Sequence, residues 1–179
     1  WSPWLFWLAI ICGGPQVSRT LHPWFGLVFV CAVSYMYIMW SAQMHTTAND
    51  KEWWRNIEHY TKNEDELMPP AGRYNAGQKL LFWGFIFCAI LLLLSGAVLW
   101  FPEYIHWNLR VLRYLAVIVH PGAALISIGL FMIHIYMSVF AERGAFGSVI
   151  RGDVSVEFAK RYHPAWYKEV VGDSPPPPK

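Results

Sequence analysis

Residues 111–140 read VLRYLAVIVHPGAALISIGLFMIHIYMSVF, an apolar run that carries two histidines. A helix needs about 20 predominantly apolar residues to cross the hydrocarbon core of a bilayer, so this run is long enough to span. His120 and His134 are fourteen residues apart. In an α-helix that spacing puts both imidazoles on nearly one face, about 21 Å apart along the axis. The spacing therefore predicts two sites at different depths in the membrane.

An ionisable side chain inside a spanning helix is costly and marks a functional site by default. Neutral imidazole is a ligand of haem iron, and helix bundles build cofactor sites from side chains on facing helices. We interpret His120 and His134 as axial ligands of two stacked b-type haems. On this stretch alone, the alternative is a pair of hydrogen-bonded structural histidines.

The composition of the whole chain is that of a membrane protein. Of its 179 residues 55% are hydrophobic and 17% aromatic, which is too apolar for an ordinary soluble domain. The net charge is only +2, and the Lys and Arg residues form no stripe between aromatic residues, so nucleic-acid binding has no support. Cys12, Cys31 and Cys88 form no C-x-x-C pattern. Neither a zinc site, a cysteine-ligated cluster nor covalently attached haem is indicated.

Two further apolar runs, 24–40 and 80–100, contain no charged residue and are long enough to span. His22 precedes the first run, and we expect Pro23 in the first turn of its helix. The opening segment, 1–12, is too short to span, and we expect an earlier helix upstream of Trp1. The predicted fold is all-α: an integral membrane helix bundle with three complete or near-complete transmembrane helices and the end of a missing first helix.

The distribution of Lys and Arg predicts the orientation of the chain. Five of them lie in 41–79 and six in 141–179, whereas the remaining connections hold only Arg19, Arg110 and Arg113. We therefore expect the loop 41–79 and the C-terminal tail to face the cytoplasm. The predicted division is a transmembrane bundle over 1–140, which includes that loop, and a cytoplasmic tail over 141–179. The four prolines near the end of the tail predict an extended segment.

Membrane depth predicts how the histidines pair. His22 lies at the outer mouth of its helix and His120 in the outer half of the last span, so the two can meet. His134 lies in the inner half, and no other histidine of the sequence fits that depth. Even His45, if helical, lies about 34 Å beyond His22 and past the hydrocarbon edge. We expect the partner of His134 in the helix upstream of Trp1.

Four blocks resemble the cytochrome b (gamma) subunit of membrane-bound respiratory formate dehydrogenase. They are GRYNAGQKLLFW at 72–83, LHPWFG at 21–26, IHIYM at 133–137 and RYHPAWYKE at 161–169. The resemblance covers essentially the whole chain and implies a four-helix di-haem cytochrome b of the bacterial inner membrane. By motif, it implies that His22 and His120 bind the iron of the outer haem and that His134 binds the iron of the inner one. The fourth ligand lies in the first helix of the family.

The resemblance also implies a quinone pocket beside the inner haem, formed by Asn75, Gly77 and Gln78 of the YNAGQ block. Without the resemblance, the block is a plain helix entry, in which Gly77 permits close packing and Lys79 extends to lipid headgroups. The implied partners are an iron–sulfur (beta) subunit, which donates electrons, and a catalytic (alpha) subunit, which oxidises formate.

Two other functions stay open at this point. The first is a di-haem cytochrome b subunit of a hydrogenase or another respiratory oxidoreductase, against which only the YNAGQ block argues. The second is a haem-free transporter in which the intramembrane histidines relay protons.

Overall fold

The computed structural model describes residue 7, residues 10–11, and residues 13–62, 64–142 and 144–172. Within these ranges the regular structure is helical and no β-strand occurs. Trp1, Trp4, most of the opening segment, Cys12 and the prolines at 175–178 lie outside the described residues. The described helices with defined bounds are, in chain order, α1 (Pro15–Trp40), α2 (Ala48–Arg55), α3 (Ile57–Thr61), α4 (Ala76–Trp100), α5 (Arg110–Tyr136), α6 (Ala145–Arg151), α7 (Val156–Tyr162) and α8 (Pro164–Val171).

Three of these helices are long and apolar enough to cross a membrane, namely α1, α4 and α5 with their short extensions. The three spans predicted from the apolar runs are therefore confirmed. Because helices satisfy their own backbone hydrogen bonds, this all-helical arrangement is compatible with lipid. The protein is an integral membrane helix bundle.

Helix α1 begins earlier than the sequence suggested. Gly13 and Gly14 have φ angles of 84° and 93°, a left-handed conformation that glycine adopts without steric cost. The chain turns there, so Pro15 rather than Pro23 takes the first helical position. The prediction that Pro23 lies in the first turn is wrong. Pro23 lies inside α1, where its missing N–H removes the helical hydrogen bond to the carbonyl of Arg19.

Helix α4 has a reciprocal cap at its first turn. The Asn75 side-chain oxygen accepts a hydrogen bond from the backbone N–H of Gln78 at 2.9 Å, and the Gln78 side-chain oxygen accepts one from the backbone N–H of Asn75 at 3.0 Å. This arrangement satisfies two backbone donors that the start of a helix leaves without partners. The helix consequently begins at Ala76, four residues before the apolar run at 80–100.

Helix α5 contains Pro121 and passes directly into a π-helical turn, Met137–Ala141. The backbone N–H of Glu142 donates to the carbonyl of Met137 at 2.9 Å, which is the wider hydrogen bond of a π-turn. The predicted span 111–140 is thus one α-helix with a short π-helical end.

The chain forms two compact units. The histidine-pair unit comprises the described residues of Trp1–Met39 together with Ile86–Ile126. Its buried apolar residues are few and mostly small: Cys88, Ala89, Ala116 and Ala123. Helix α1 has no buried residue.

The loop-and-tail unit comprises Trp40–Phe85 together with the described residues of Ser127–Lys179. Trp53, Phe82 and Phe158 are buried in it. The loop 41–79 contains the short helices α2 and α3, and the tail contains α6, α7 and α8. The predicted division at residue 140 stays a prediction.

Candidate functional site

The histidine-pair unit brings His22 of α1 and His120 of α5 together. Their ring centroids are 5.8 Å apart, and the ring planes are inclined by 78°. The structure therefore places side by side the two histidines for which membrane depth predicts a common site. Trp24 and Trp100 make an edge-on contact in the same unit, with centroids 5.9 Å apart.

Two residues that the sequence reasoning missed contact His120. The Ser95 hydroxyl lies 2.9 Å from Nδ1 of His120. A Cβ at Gly96 would lie 3.2 Å from Cε1 of the same ring, so the imidazole approaches α4 where that helix has no side chain. Ser95 and Gly96 interrupt an otherwise apolar run, LLLLSGAVLW. That interruption was the available signal, because a hydroxyl in an uncharged span needs a polar partner.

The spacing of the two rings fits an iron ion between them. With imidazole–metal bonds of about 2 Å and about 1 Å more from each nitrogen to its ring centre, two axial imidazoles would have centroids about 6 Å apart. The observed 5.8 Å is close to this value. A Cβ at Gly26, which lies one turn after His22 on the same face of α1, would meet no described atom within 4 Å. The distance between the two rings and the open space at Gly26 are therefore compatible with a haem bound by His22 and His120.

His134 lies in α5 within the loop-and-tail unit, and its side chain is exposed. Among the described residues it contacts no other imidazole and has no hydrogen-bond partner. Two further histidines of this unit are bonded elsewhere: His59 to Glu64 at 2.6 Å, and His163 to the carbonyl of Gly72 at 2.9 Å. The structure thus leaves the ring of His134 available for a ligand.

The predicted quinone residues have three different environments. Asn75 is only 6% exposed. Its side-chain oxygen and that of Gln78 form the helix cap, and within the described ranges their amide nitrogens have no hydrogen-bond partner. A Cβ at Gly77 would lie 3.3 Å from Cη2 of Trp53, so the indole covers this glycine.

A cavity of about 440 Å³ lies beside the start of α4 in the loop-and-tail unit. Asn75 lines it, whereas Gly77 and Gln78 do not. The wall also includes Trp53 and three charged residues, Asp50, Arg73 and Lys79. The structure therefore brings only one of the three predicted quinone residues to the cavity surface.

Asp50 and Lys79 form an ion pair at this wall, with Oδ2 and Nζ 2.7 Å apart and side chains 8% and 12% exposed. Thr47 donates to the same carboxylate oxygen from its backbone N–H at 2.6 Å and from its hydroxyl at 2.9 Å. Burial opposes ionisation of the Asp50 carboxyl, but the hydrogen bonds from Lys79 and Thr47 outweigh it and hold the pKa below its usual value. The wall thus presents an ionised carboxylate and its cation.

A second buried carboxylate follows the π-helical turn. Glu142 is buried and accepts a hydrogen bond from the hydroxyl of Tyr60 at 2.8 Å. Burial and the adjacent Glu142 carboxylate raise the pKa of Tyr60 far above its ordinary value. Tyr60 therefore keeps its proton and remains a hydrogen-bond donor at physiological pH.

Comparison with known proteins places these features in a family. Residues 1–152 match the family described as prokaryotic cytochrome b561. The nitrate-inducible formate dehydrogenase cytochrome b556(Fdn) subunit of Escherichia coli strain K12 is 34% identical over 169 residues, which cover 94% of this chain and 77% of the relative. The formate dehydrogenase cytochrome b556(fdo) subunit of the same strain is 35% identical over 165 residues, covering 92% and 76%.

A third relative comes from Haemophilus influenzae. Its formate dehydrogenase cytochrome b556 subunit is 32% identical over 166 residues, which cover 92% of this chain and 69% of the relative. The match to the family extends over most of the chain, through α1, α4 and α5. The chain therefore belongs to the prokaryotic cytochrome b561 family, whose members are haem b electron-transfer proteins of bacterial membranes.

Proposed function

We propose that this chain is the membrane-anchoring cytochrome b subunit of a formate dehydrogenase complex. In this proposal it carries electrons from an iron–sulfur partner to quinone by way of two bound b haems. The three relatives described above, each named as a formate dehydrogenase cytochrome b556 subunit, support the choice of complex. The chain is thus an oxidoreductase component, and formate is oxidised in a partner subunit.

The observation that carries the proposal is the contact between His22 and His120, with ring centroids 5.8 Å apart. These two residues would supply the imidazole ligands of the outer haem. When bound, the haem supplies reversible one-electron exchange at its iron. The chain supplies the two imidazoles and apolar surroundings that limit access of water to the site.

The inner haem is held by His134. The exposed ring of His134, without a polar partner among the described residues, supports this assignment. Two haems at different depths would give electrons a route across most of the membrane. The spacing of fourteen residues between His120 and His134 supports two such depths.

The quinone head occupies the cavity beside the start of α4. Its volume, about 440 Å³, falls within the range of small-molecule sites, roughly 300–1,000 Å³. The amide nitrogen of Asn75, which has no hydrogen-bond partner among the described residues, is a donor for a quinone carbonyl, and the ammonium group of Lys79 lies in the same wall, paired with Asp50. Gln78 fixes Asn75 through the cap, and Gly77 allows Trp53 to approach the pocket.

The loop 41–79 and the tail 141–179 lie on the cytoplasmic side in this proposal, and residues 1–140 form the transmembrane part. The excess of Lys and Arg in both segments supports this orientation. Contacts between loop and tail also support it, because both must then lie on the same side. Arg161 pairs with Asp65 at 2.7 Å, and the Ala165 backbone N–H donates to the Ala71 carbonyl at 3.1 Å.

The electron donor is an iron–sulfur (beta) subunit, and a catalytic (alpha) subunit oxidises formate. The sequence itself has no cysteine pattern that could hold an iron–sulfur cluster. That feature and the names of the relatives support a division of labour among subunits, and the apolar spans anchor the complex in the membrane lipid.

Reduced-minus-oxidised absorption spectra of the purified complex test the proposal. We expect two low-spin haems in the wild type, and one in each of His22→Ala, His120→Ala and His134→Ala. His106→Ala is the matched control, because this histidine lies outside the spans, and we expect it to keep both haems. A wild-type complex without haem would leave the proton-relaying transporter as the better interpretation.

The donor is tested separately by adding formate to the purified complex. Reduction of both haems by formate supports the formate dehydrogenase assignment. Reduction by dihydrogen but not by formate would favour a hydrogenase subunit. In His134→Ala we expect formate to reduce the remaining haem while quinone reduction stops.

A further inference from the structure

We propose that Ser95 is a positioning residue for His120: its hydroxyl accepts a hydrogen bond from Nδ1–H, which directs Nε2 to the haem iron and fixes the plane of the ring. This inference rests on the proposed function, in which His22 and His120 hold one haem.

The direction of the hydrogen bond follows from the proton of the serine. The Ser95 hydroxyl donates to the carbonyl of Leu91, one turn earlier in α4. A hydroxyl has one proton and two lone pairs. Because the proton is directed at Leu91, the contact of 2.9 Å with His120 requires the imidazole to donate from Nδ1. Nε2 is then the unprotonated nitrogen, and this is the form that binds iron.

The position of the ring depends on the neighbouring residue as well. Gly96 follows Ser95, and a Cβ there would lie 3.2 Å from Cε1 of His120, which is too close without a shift of the ring. Ser95 therefore contacts Nδ1 of the imidazole, while Gly96 leaves room for the adjacent Cε1. Together they form a cradle in α4 for a side chain of α5.

The cradle has two consequences for a bound haem. A hydrogen bond accepted from the distal nitrogen makes an imidazole more basic, so it favours the oxidised iron and lowers the midpoint potential. The cradle also fixes the plane of the His120 ring, which is inclined by 78° to the ring of His22. If the two rings kept this inclination when they bind iron, the oxidised low-spin haem would give a highly anisotropic electron paramagnetic resonance signal with one large g value.

A purely structural role for Ser95 is the alternative. Serine in a helix often bonds to the carbonyl four residues earlier without any further function. Such a role predicts that removal of the hydroxyl changes the local stability of α4 but neither the potential nor the g values of a haem in the intact complex.

The test compares three variants of the intact complex by redox titration and by electron paramagnetic resonance. In Ser95→Ala we expect both haems to be retained, the potential of one haem to rise, and its largest g value to fall or broaden as the ring is freed. In Ser95→Thr, which keeps the hydroxyl, we expect a midpoint potential and a signal close to those of the wild type.

Thr20→Val is the control, because it removes the same kind of bond, from the Thr20 hydroxyl to the Gln16 carbonyl at 3.0 Å. Thr20 lies about 200° around α1 from His22.

Unchanged potentials and g values in Ser95→Ala would overturn the inference, and so would an equal change in Thr20→Val. His120→Ala separates this failure from that of the proposed function. If His120→Ala loses one haem while Ser95→Ala matches wild type, the ligand assignment stands and the positioning role falls. If His120→Ala keeps both haems, the ligand assignment itself is wrong. Gly96→Ala adds an independent measurement, since displacement of the ring should alter the signal of the same haem.

Discussion

In the histidine-pair unit the described contacts between helices are mostly ring contacts, such as those of His22 with His120 and Trp24 with Trp100. In the loop-and-tail unit, ion pairs and hydrogen bonds join distant parts of the chain, such as Lys79 with Asp50. In the proposed function the first unit binds a haem between its helices, whereas the second unit is closed by its own polar side chains. A ligand that binds only the folded state stabilises that state, so the two units should respond differently to haem loss.

The largest expected effect is that of haem loss on α1. In His22→Ala or His120→Ala we expect one haem to be lost completely and amide hydrogen exchange in α1 to become faster. Exchange in α2, α7 and α8 should stay as in wild type, because their contacts do not involve haem. Hydrogen exchange measured by mass spectrometry on the purified complex gives this comparison. Equal protection of α1 with and without the haem would show that the first unit does not need it.

The next effect concerns the ion pair of the loop-and-tail unit. Lys79→Met leaves the largely buried carboxylate of Asp50 without its cation, and loss of one partner of a buried pair costs about 3 kcal/mol. We expect a lower thermal unfolding temperature of the complex, with both haem spectra intact at room temperature. The double variant Asp50→Asn with Lys79→Met should recover most of the loss. A loss of haem in Lys79→Met would show that haem binding also depends on the ion pair of the loop-and-tail unit.

Substitution of Asn75 tests the proposed quinone pocket. A hydrogen bond that strengthens as charge develops on the quinone contributes about 1.5–3 kcal/mol. Asn75→Ala should therefore slow quinone reduction roughly tenfold to a hundredfold. It also removes the cap of α4, which costs about 1 kcal/mol of stability.

Asn75→Asp separates the two roles of this residue, because it keeps the capping oxygen and lacks the amide N–H donors. We expect wild-type thermal stability with slow quinone reduction in this variant, measured with the same quinone analogue. If Asn75→Asp reduces quinone at the wild-type rate, Asn75 acts only as a cap.

A smaller effect depends on pH. The pKa of Asp50 in the folded protein is below its ordinary value of about 3.9, so its contribution to stability is present above that value. The contribution is lost as the pH falls through the pKa of the folded state. Below about pH 4, hydrogen exchange in α2 should therefore quicken in wild type. The same acidification should have less effect in the double variant Asp50→Asn with Lys79→Met, which has no carboxylate to protonate.

The smallest expected effect is that of Tyr60→Phe. This change removes the hydrogen bond to the buried carboxylate of Glu142, and such a loss costs about 1–3 kcal/mol. The low end is expected, because Tyr60 itself is only half-buried. Thermal unfolding of the complex measures this loss of stability. Tyr167→Phe is the control, because the Tyr167 hydroxyl has no hydrogen-bond partner among the described residues.

The sequence predicted the long-range features that depend on composition and depth. Apolar runs of spanning length gave the three transmembrane helices, and equal depth predicted that His22 and His120 meet. These features follow from the membrane itself, which restricts both the length of an element and the depth of each residue.

The features that the sequence did not predict depend on contacts between distant segments. Nothing local to Asp50 indicates that it pairs with Lys79, 29 residues later. The roles of Ser95 and Gly96 depend on α5, because both residues act on the ring of His120 in that helix. The start of α1 was missed for a local reason, because two proline positions were possible and the left-handed glycines at 13 and 14 decide between them.

The contacts between loop and tail also determine the order in which this protein can mature. Asp65 pairs with Arg161, 96 residues later, and the Gly72 carbonyl bonds to His163, 91 residues later. At a synthesis rate of about 5–20 residues per second, the loop waits about 5–20 s for its partners. During that time α4 and α5 enter the membrane while the cavity wall is still incomplete. A ribosome that stalls before α7 would therefore leave a chain whose spans, with His22 and His120, are complete, but whose cavity still lacks Ala165 and the contacts between loop and tail.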